Sequence, residues 1–272
     1  MRKILNFDTP YPIEITKETV GAINLRVKAM KNSGVNDADG NPILEAAPIV
    51  DLNRISIELE LQRRGQRKVK IMRGNLADNL IGMYAQSIKY KHAKASTSQG
   101  YNHYLDFNPF AIALREGDKL IANITVGSAA YDSVRKMDSL IEFETVQVKD
   151  GTNVFPVVRS YPVGKDKEFF DGDLGNNVAK VVALTDLSKD YQGSTEAKVR
   201  LGKIRANNFD KSFTDTALFV QNQHMFDDND QTDIEDLIIY QGKPLDNVWL
   251  EADFDKPVLE SAKILVVAYE RI

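Results

Sequence analysis

The sequence Asp118-Lys-Leu-Ile-Ala-Asn-Ile-Thr-Val126, followed after a polar connector by Leu140-Ile-Glu-Phe-Glu-Thr-Val146, decides the fold. Apolar and polar residues alternate in its first part, which is typical of a strand with one face on a core. The C-terminus repeats this design as Val248-Trp-Leu-Glu-Ala-Asp-Phe254 and Lys263-Ile-Leu-Val-Val-Ala-Tyr269. Few residues are identical between the copies, so chance recurrence of a common strand pattern is the alternative. We interpret the recurrence as two copies of one all-β module.

Two domains fit the length of the chain. Its 272 residues exceed one usual domain, and half of them still match a compact unit of roughly 100 to 150 residues. In the repeat, Leu120 corresponds to Val248 and Val126 to Phe254. The turn dipeptide Asp150-Gly151 follows the end of the first copy. We therefore predict a first domain over residues 1–149 and a second domain over residues 150–272.

The composition argues against several classes of function. The formal net charge is -4 and the pI is about 5.5, so the chain lacks the polycationic field that drives nucleic-acid binding. We do not expect sequence-specific nucleic-acid recognition. The absence of cysteine excludes disulfides, thiolate nucleophiles and cysteine metal ligands. No run approaches the ~20 apolar residues that span a bilayer, so no membrane span is predicted.

The rest of the chain supplies short strands, long loops and one clear helix. Two alternating runs, 55–62 and 68–72, flank a short glycine-containing connection, which predicts a hairpin. Asn75 can cap a helix whose apolar residues recur at helical spacing as far as Ile88. Residues 1–10 are expected to form a short arm, and the turn-rich stretches 32–47 and 164–177 long loops.

These elements together indicate the fold class. Many short strands with long loops predict an all-β fold of sandwiches or jelly rolls, with one or two inserted helices. A purely parallel α/β fold requires a regular alternation of strands and helices, and this sequence does not contain one.

No catalytic motif is present in the sequence. The three histidines, His92, His103 and His224, do not have the spacing of metal ligands, and we interpret them as solvated or locally hydrogen-bonded. The nucleophile elbow, the P-loop and the dinucleotide-binding fingerprint are all absent. A carboxylate pair for glycoside hydrolysis cannot be selected, because its separation is set by folding. We therefore do not predict an enzyme, and no cofactor is predicted apart from the metal considered next.

An acidic run at residues 227–236 is the candidate metal site. Its carboxylates could bind calcium, which takes clustered oxygen ligands, and the candidate ligands are Asp227, Asp228, Asp230 and Asp233. The run lacks the glycine that an EF-hand loop has at its sixth position. A solvated loop, or the acidic first turn of a helix, is the favoured alternative.

A basic cluster surrounds the predicted hairpin turn. It consists of Arg63, Arg64, Arg67, Lys68 and Lys70, with Lys89, Lys91 and Lys94 further along the chain. Such a cluster could form one positive face for phosphate or lipid headgroups. Hairpin turns and edge strands also carry lysine and arginine to remain soluble and unpaired, and we favour that interpretation.

The order of these elements resembles a family of structural proteins. The strand 55–61, the helix 75–88, the strand 118–126 and the ending 246–272 resemble the double jelly-roll major capsid proteins of tailless icosahedral viruses with an internal membrane. The size of the chain is closest to the corticovirus-type members. The resemblance covers the whole chain as architecture and only short stretches as residues, and the family offers no catalytic motif to transfer.

The resemblance implies a structural role in a virion. Three chains would form a homotrimer with six similar sandwiches, and this pseudo-hexagonal capsomer would tile an icosahedral shell around a membrane. The implied partners are neighbouring capsid trimers, minor capsid or membrane proteins and the internal membrane itself. The implied location is the virion capsid, assembled in the host cytoplasm. Calcium is associated with some such capsids, and the resemblance would then imply that the run 227–236 binds it.

Two other functions remain open at this point. A jelly-roll spike, receptor-binding or carbohydrate-binding protein should expose aromatic residues on a concave sheet face. The single tryptophan, Trp249, lies in an alternating strand, and we expect it to pack between the two domains instead. A β-sandwich hydrolase is the third hypothesis, and the absence of a polar catalytic grouping in the sequence argues against it.

Overall fold

The computed structural model describes residues 1–7, 11–48, 54–83, 101–107, 110–152, 154–184, 199–214, 238–258 and 262–271. These residues form nineteen strands, one α-helix and two short 3-10 helices. Described residues before Pro156 form one compact unit, and those from Pro156 to Glu270 form a second. Asp150 and Gly151 lie shortly before this division. In the described parts of the chain, no helix is long and apolar enough to cross a membrane.

The first unit contains eleven strands and the α-helix. They are β1 (Arg2–Asn6), β2 (Ile13–Ile15), β3 (Thr19–Lys28), β4 (Met30–Asn36), β5 (Pro42–Ala46), β6 (Ile55–Gln62), β7 (Val69–Met72), α1 (Leu76–Met83), β8 (Tyr101–Asp106), β9 (Ile112–Ala113), β10 (Lys119–Val126) and β11 (Leu140–Gln147). One sheet has the order β1-β11-β3-β8, with β9 on β3, and the other has the order β2-β10-β6-β7. Strands β4 and β5 form a separate ribbon.

The second unit repeats the two-sheet arrangement with eight strands. They are β12 (Val154–Pro162), β13 (Phe169–Gly175), β14 (Val178–Leu184), β15 (Val199–Ala206), β16 (Phe209–Thr214), β17 (Ile238–Leu245), β18 (Val248–Phe254) and β19 (Lys263–Arg271). One sheet has the order β12-β19-β14-β17, and the other has the order β13-β18-β15-β16.

The strand order identifies each unit as a jelly roll. When the ribbon and β9 are set aside, eight strands remain in each unit. In chain order they are arranged as 1-8-3-6 in one sheet and 2-7-4-5 in the other, and this order is the same in both units. Such a pair of interlocked Greek keys is the jelly-roll topology. The prediction of an all-β fold with two consecutive jelly rolls and an inserted helix is confirmed.

The repeated sequence occupies the same place in both jelly rolls. Leu120 in β10 pairs with Ile15 on one side and Leu61 on the other. Val248 in β18 pairs with Gly175, near the end of the corresponding neighbour strand. Both side chains are fully buried. The two stretches therefore correspond as the seventh and eighth strands of successive modules.

The predicted hairpin and helix are both present. Strands β6 and β7 pair antiparallel, and the Gln66 N–H donates to the Arg63 carbonyl at 2.9 Å in the turn. The helix α1 begins at Leu76, and the Asn75 side chain accepts from the Asp78 N–H at 2.7 Å, as expected of an N-cap. The part of the predicted helix beyond Met83 lies outside the described residues.

Three polar stretches form strands that the sequence did not predict. The expected N-terminal arm contains β1, which pairs with β11. The expected loop 32–47 lies mostly in the ribbon of β4 and β5. The expected loop 164–177 contains β13, which pairs with β18. In each case the partner strand supplies the hydrogen bonds that the local sequence pattern does not reveal.

Each sandwich has its own apolar core. In the first unit, the buried rings of Phe7 and Tyr131 pack edge to face with centroids 6.5 Å apart. In the second unit, the inner side chains of β18 (Val248, Leu250, Ala252 and Phe254) are all buried in one apolar cluster. The alternate residues of β18 therefore face away from this core.

Candidate functional site

A cluster of charges holds the first strand onto the first sandwich. The carboxylate of Glu142 in β11 is bonded to three cations from neighbouring strands: Arg2 at 2.7 Å, Lys28 at 3.0 Å and Arg26 at 3.4 Å. We call these four residues the Glu142 anchor. Glu142 is only 6% exposed, because the long cationic side chains cover it. Burial favours the neutral acid, but the hydrogen bonds from Lys28 and Arg2 outweigh it, so the pKa of Glu142 is lowered.

The N-terminal ammonium group adds a second attachment for β1. It donates to the Thr145 hydroxyl at 2.6 Å, and this hydroxyl donates to Glu18 at 2.7 Å. Thr145 lies in β11, the same strand that carries Glu142. Strand β1 is therefore held at its N-terminal end both by the hydrogen-bond chain from Met1 and by the ion pair of Arg2 with Glu142.

We expect Glu142→Gln to lower the free energy of unfolding by about 2 kcal/mol, the range for hydrogen bonds to charged groups. The loss follows because three cations are left together without a counter-charge. The first effect should be faster hydrogen exchange of the β1 amides, measured by mass spectrometry. Glu144→Gln is the matched control, since Glu144 lies two residues along the same strand and is exposed. Unchanged exchange in β1 for Glu142→Gln would contradict the anchor.

A buried carboxylate joins two loops at one end of the first sandwich. Asp118 accepts from the Arg63 guanidinium at 2.7 Å, from the Arg64 N–H at 2.9 Å and from the Arg115 N–H at 3.1 Å. The turn just before it requires Gly117, whose φ of +86° is unfavourable for residues with a side chain. Asp118 therefore ties the β6–β7 turn to the connection that leads into β10.

The basic cluster of the hairpin is largely paired with carboxylates. Arg63 is bonded to Asp118, Lys68 lies 3.6 Å from Glu60 and Lys70 lies 2.8 Å from Glu58. Three of the five cations of the hairpin therefore have a carboxylate partner, and the interpretation of the cluster as a means of keeping the hairpin soluble stays a prediction. Lys89, Lys91 and Lys94 lie outside the described residues, so the positive face that they could form with the hairpin stays a prediction.

The second sandwich has an outer sheet face with an exposed tryptophan, which we call the Trp249 face. Strand register places three rows of four residues on it: Asp173, Trp249, Arg205 and Asp210; Asp171, Glu251, Lys203 and Ser212; Phe169, Asp253, Leu201 and Thr214. Trp249 is 41% exposed, Phe169 is 55% exposed and Leu201 is 40% exposed. The side chain of Trp249 therefore points away from the core of its own sandwich, and its packing between the domains stays a prediction.

Hydrogen bonds and ion pairs order this face. The Trp249 indole N–H donates to the Asp171 carboxylate at 2.5 Å, which fixes the orientation of the ring. Arg205 is paired with Glu251 at 2.8 Å, and Lys203 is paired with Asp210 at 2.8 Å. Beside these groups lies a hollow of about 380 Å³, lined by Leu201, Gly202, Lys203, Ser212, Phe213, Thr214, Glu251 and Asp253. The alternation in β18 could have revealed this face, because it sets Trp249 opposite the core residues.

The candidate calcium ligands Asp227, Asp228, Asp230 and Asp233 lie outside the described residues, as do His92 and His224. His103 lies in β8. Within the described ranges, no group of three or more histidine and acidic side chains could hold a metal ion. The calcium site therefore stays a prediction.

Replacement of both Asp228 and Asp230 by Asn tests the calcium site. If the run binds calcium, the wild type should melt at a higher temperature in calcium than in chelator, because a ligand that binds only the native state stabilises it. The double variant should lose this difference. Asp37 and Asp39, acidic residues of the exposed β4–β5 turn, provide the control when changed to Asn. A wild-type melting curve that is identical in calcium and in chelator would contradict the predicted calcium site.

Comparison with known proteins gives matches in structure alone. No protein-family model and no curated protein sequence matches the chain. The fold is similar to that of the major capsid protein P2 from bacteriophage PM2, with 12% identity over 99% of this chain and 97% of that chain, at a TM-score of 0.51. It is also similar to the STIV MCP, with 11% identity over 98% of this chain and 94% of that chain, at a TM-score of 0.55.

These two structures are the major capsid proteins of double jelly-roll viruses, and PM2 is a corticovirus. The resemblance drawn from the sequence is therefore confirmed at the level of the fold. Both matches run through both jelly rolls, because they cover nearly the whole of each chain.

Proposed function

We propose that this chain is a viral major capsid protein and that it acts as a structural protein, not as an enzyme. The observation that carries the proposal is the nearly complete coverage of the chain by two major capsid proteins. A single shared jelly roll would support little, because that module serves many functions. Two consecutive jelly rolls of matching length support a much narrower class.

The architecture supports a specific mode of assembly. Three chains with two similar sandwiches each would give a homotrimer with six similar lobes. Such a trimer can occupy a position with six neighbours, so that trimers tile an icosahedral shell around an internal membrane. The affinity would come from modest interfaces repeated over a closed symmetric shell. Minor capsid or membrane proteins would contact this lattice, and the chain would reside in the virion after assembly in the host cytoplasm.

Size-exclusion chromatography with light scattering tests the trimer. We expect a particle of three times the 30.5 kDa chain mass. Negative-stain microscopy of this peak should show lobed particles with pseudo-hexagonal outlines. A stable monomer at all protein concentrations would contradict the homotrimer.

Mass spectrometry of purified source particles tests the location and the role. A major capsid protein should be the most abundant protein of the particle, and antibodies to it should decorate intact virions. If the chain is a minor component found only at the vertices, the runner-up function of a jelly-roll spike or receptor-binding protein is favoured.

A further inference from the structure

The Trp249 face differs from the matching face of the first sandwich. On that face, Ile121 occupies the position of Trp249 in the repeat and is only 6% exposed. Its surroundings are ion pairs such as Lys119 with Glu14 at 2.9 Å. Both faces carry ion pairs, but the Trp249 face adds an exposed aromatic ring at this position, and exposed aromatic residues among polar groups are typical of binding surfaces. The two modules therefore differ at this position of the outer face.

The tryptophan ring is held ready for a ligand. Its N–H is bonded to Asp171, so the ring does not need to be ordered when a ligand binds. Its π-face carries partial negative charge, which attracts the weakly positive C–H groups on the flat side of a sugar ring. Trp249 thus supplies an aromatic stacking surface of fixed orientation.

The neighbouring hollow is polar enough for hydroxyl groups. Its walls carry the hydroxyls of Ser212 and Thr214, the ammonium group of Lys203 and the carboxylates of Glu251 and Asp253. These groups offer both donors and acceptors. The volume of about 380 Å³ falls within the range of small-molecule sites, and the lining combines apolar surface with a few polar groups, as is usual for such sites. A sugar, which carries hydroxyl groups around a ring with apolar C–H faces, fits such a mixed lining.

The charge of the face selects among such ligands. Its three rows contain five carboxylates, from Asp171, Asp173, Asp210, Glu251 and Asp253. They contain two cations, from Lys203 and Arg205. Phosphates, nucleic acids and acidic sugars would be repelled. Trp249 and Asp253 are four residues apart along one strand, roughly 13 Å, which exceeds one sugar ring.

We propose that the Trp249 face binds a neutral oligosaccharide. One sugar ring stacks on Trp249, and the next rings place their hydroxyls in the hollow toward Asp253. This site does not depend on the capsid role, because a face of one sandwich can bind a glycan in a capsid protein or in a spike.

The protein carries its own reporter for this site, because Trp249 is its single tryptophan. Neutral hexasaccharides of glucose, mannose and N-acetylglucosamine are titrated into the full chain while the tryptophan emission is recorded. At least one of them should give a saturable change and should protect Trp249 from quenching by acrylamide. An acidic hexasaccharide of galacturonic acid should give neither effect.

Variants then locate the binding on this face by calorimetry. Trp249→Ala should weaken binding at least roughly tenfold, as for the loss of an aromatic anchor. Asp171→Asn should weaken binding less than Trp249→Ala does, because the indole ring remains but its orientation is no longer fixed. The matched control is Val69→Ala, since Val69 is 56% exposed and lies in the first sandwich. Circular dichroism melts confirm that each variant is folded.

Two results would overturn the proposal. One is the absence of a saturable change with every neutral hexasaccharide. The other is a Trp249 that acrylamide cannot reach in the wild-type oligomer, together with a Trp249→Ala chain that runs as a monomer. The second result would assign the face to contact between copies of this chain, and it would leave the capsid proposal intact.

Discussion

The variant Asp118→Ala is expected to lose about 3 to 5 kcal/mol of unfolding free energy, the usual loss when one partner of a buried ion pair is removed. The carboxylate is 5% exposed and accepts from Arg63 and from the N–H groups of Arg64 and Arg115. Its removal leaves a guanidinium and two backbone donors without their acceptor, and alanine cannot replace it. Urea denaturation measures the loss.

Matched variants separate this effect from general damage. Asp150→Ala removes an exposed carboxylate from the same unit and should change the stability by less than about 0.5 kcal/mol. Arg63→Met removes the partner, and the double variant should lose less than the sum of the single losses, because both changes break one interaction. Fully additive losses would show that Asp118 acts through other groups.

The acid dependence gives an independent check on Asp118. Burial favours its neutral form, but the hydrogen bonds from Arg63 and the two backbone groups dominate, so its pKa is lowered. A lowered pKa means that the contribution is fully present above the unfolded value of about 3.9. It is lost as the pH falls through the folded value. Between pH 7 and pH 5 the loss in Asp118→Ala should therefore be constant, and near pH 2 it should shrink.

A second large effect is expected for Gly202→Ala in the second sandwich. A Cβ atom at this position would lie 2.2 Å from the Glu251 carbonyl oxygen and 2.4 Å from the Phe213 ring. The carbonyl belongs to the neighbouring strand β18, so the backbone itself would have to move. We expect a loss of about 3 kcal/mol or more, at the upper end of overpacking effects.

Two further variants make the reason for this loss testable. Gly164→Ala is the matched control, because its Cβ would make only ordinary contact, 3.4 Å from the flexible Lys167 side chain. Adding Phe213→Leu to Gly202→Ala removes the ring but not the carbonyl, so the double variant should remain unstable. A wild-type melting temperature for Gly202→Ala would mean that β15 and β18 do not pair as described.

The sequence predicted the elements whose patterning is local. Strands β10 and β18 alternate because one face of each meets a core, and this period is visible without any partner. The hairpin of β6 and β7 and the Asn75 cap were predictable for the same reason, because turn and cap chemistry act within a few residues. These elements were sufficient to identify the repeat and the fold class.

The missed elements depend on partners that are distant in the chain. Strand β13 contains Asp171, Gly172 and Asp173, a composition typical of a loop, and its pairing is supplied by β18. Strand β1 is short and exposed, and its attachment is supplied by Glu142. No window of local sequence contains either interaction.

The candidate sites follow the same rule. The alternation of β18 correctly separated Trp249 from the core residues of the strand. It could not predict the surroundings of Trp249 on the outer face. The three rows of the Trp249 face combine four strands, so the arrangement of Asp171, Arg205 and Glu251 around the ring is visible only after folding. The calcium site in the acidic run 227–236 stays a prediction from the composition of that run.

The position of β1 has a consequence for synthesis on the ribosome. Met1 is bonded to Thr145, 144 positions later, so the first strand has no place to pair until the last strand of its sandwich has been made. The second sandwich repeats the delay, because β12 pairs with β19 at the end of the chain. In each module the first strand therefore stays unpaired until nearly the whole module has been synthesised. During that time its backbone hydrogen-bonding groups are open to neighbouring nascent chains. Chains translated together on one messenger would meet while these groups are open, and a chain released before Lys263 would never close the second sandwich.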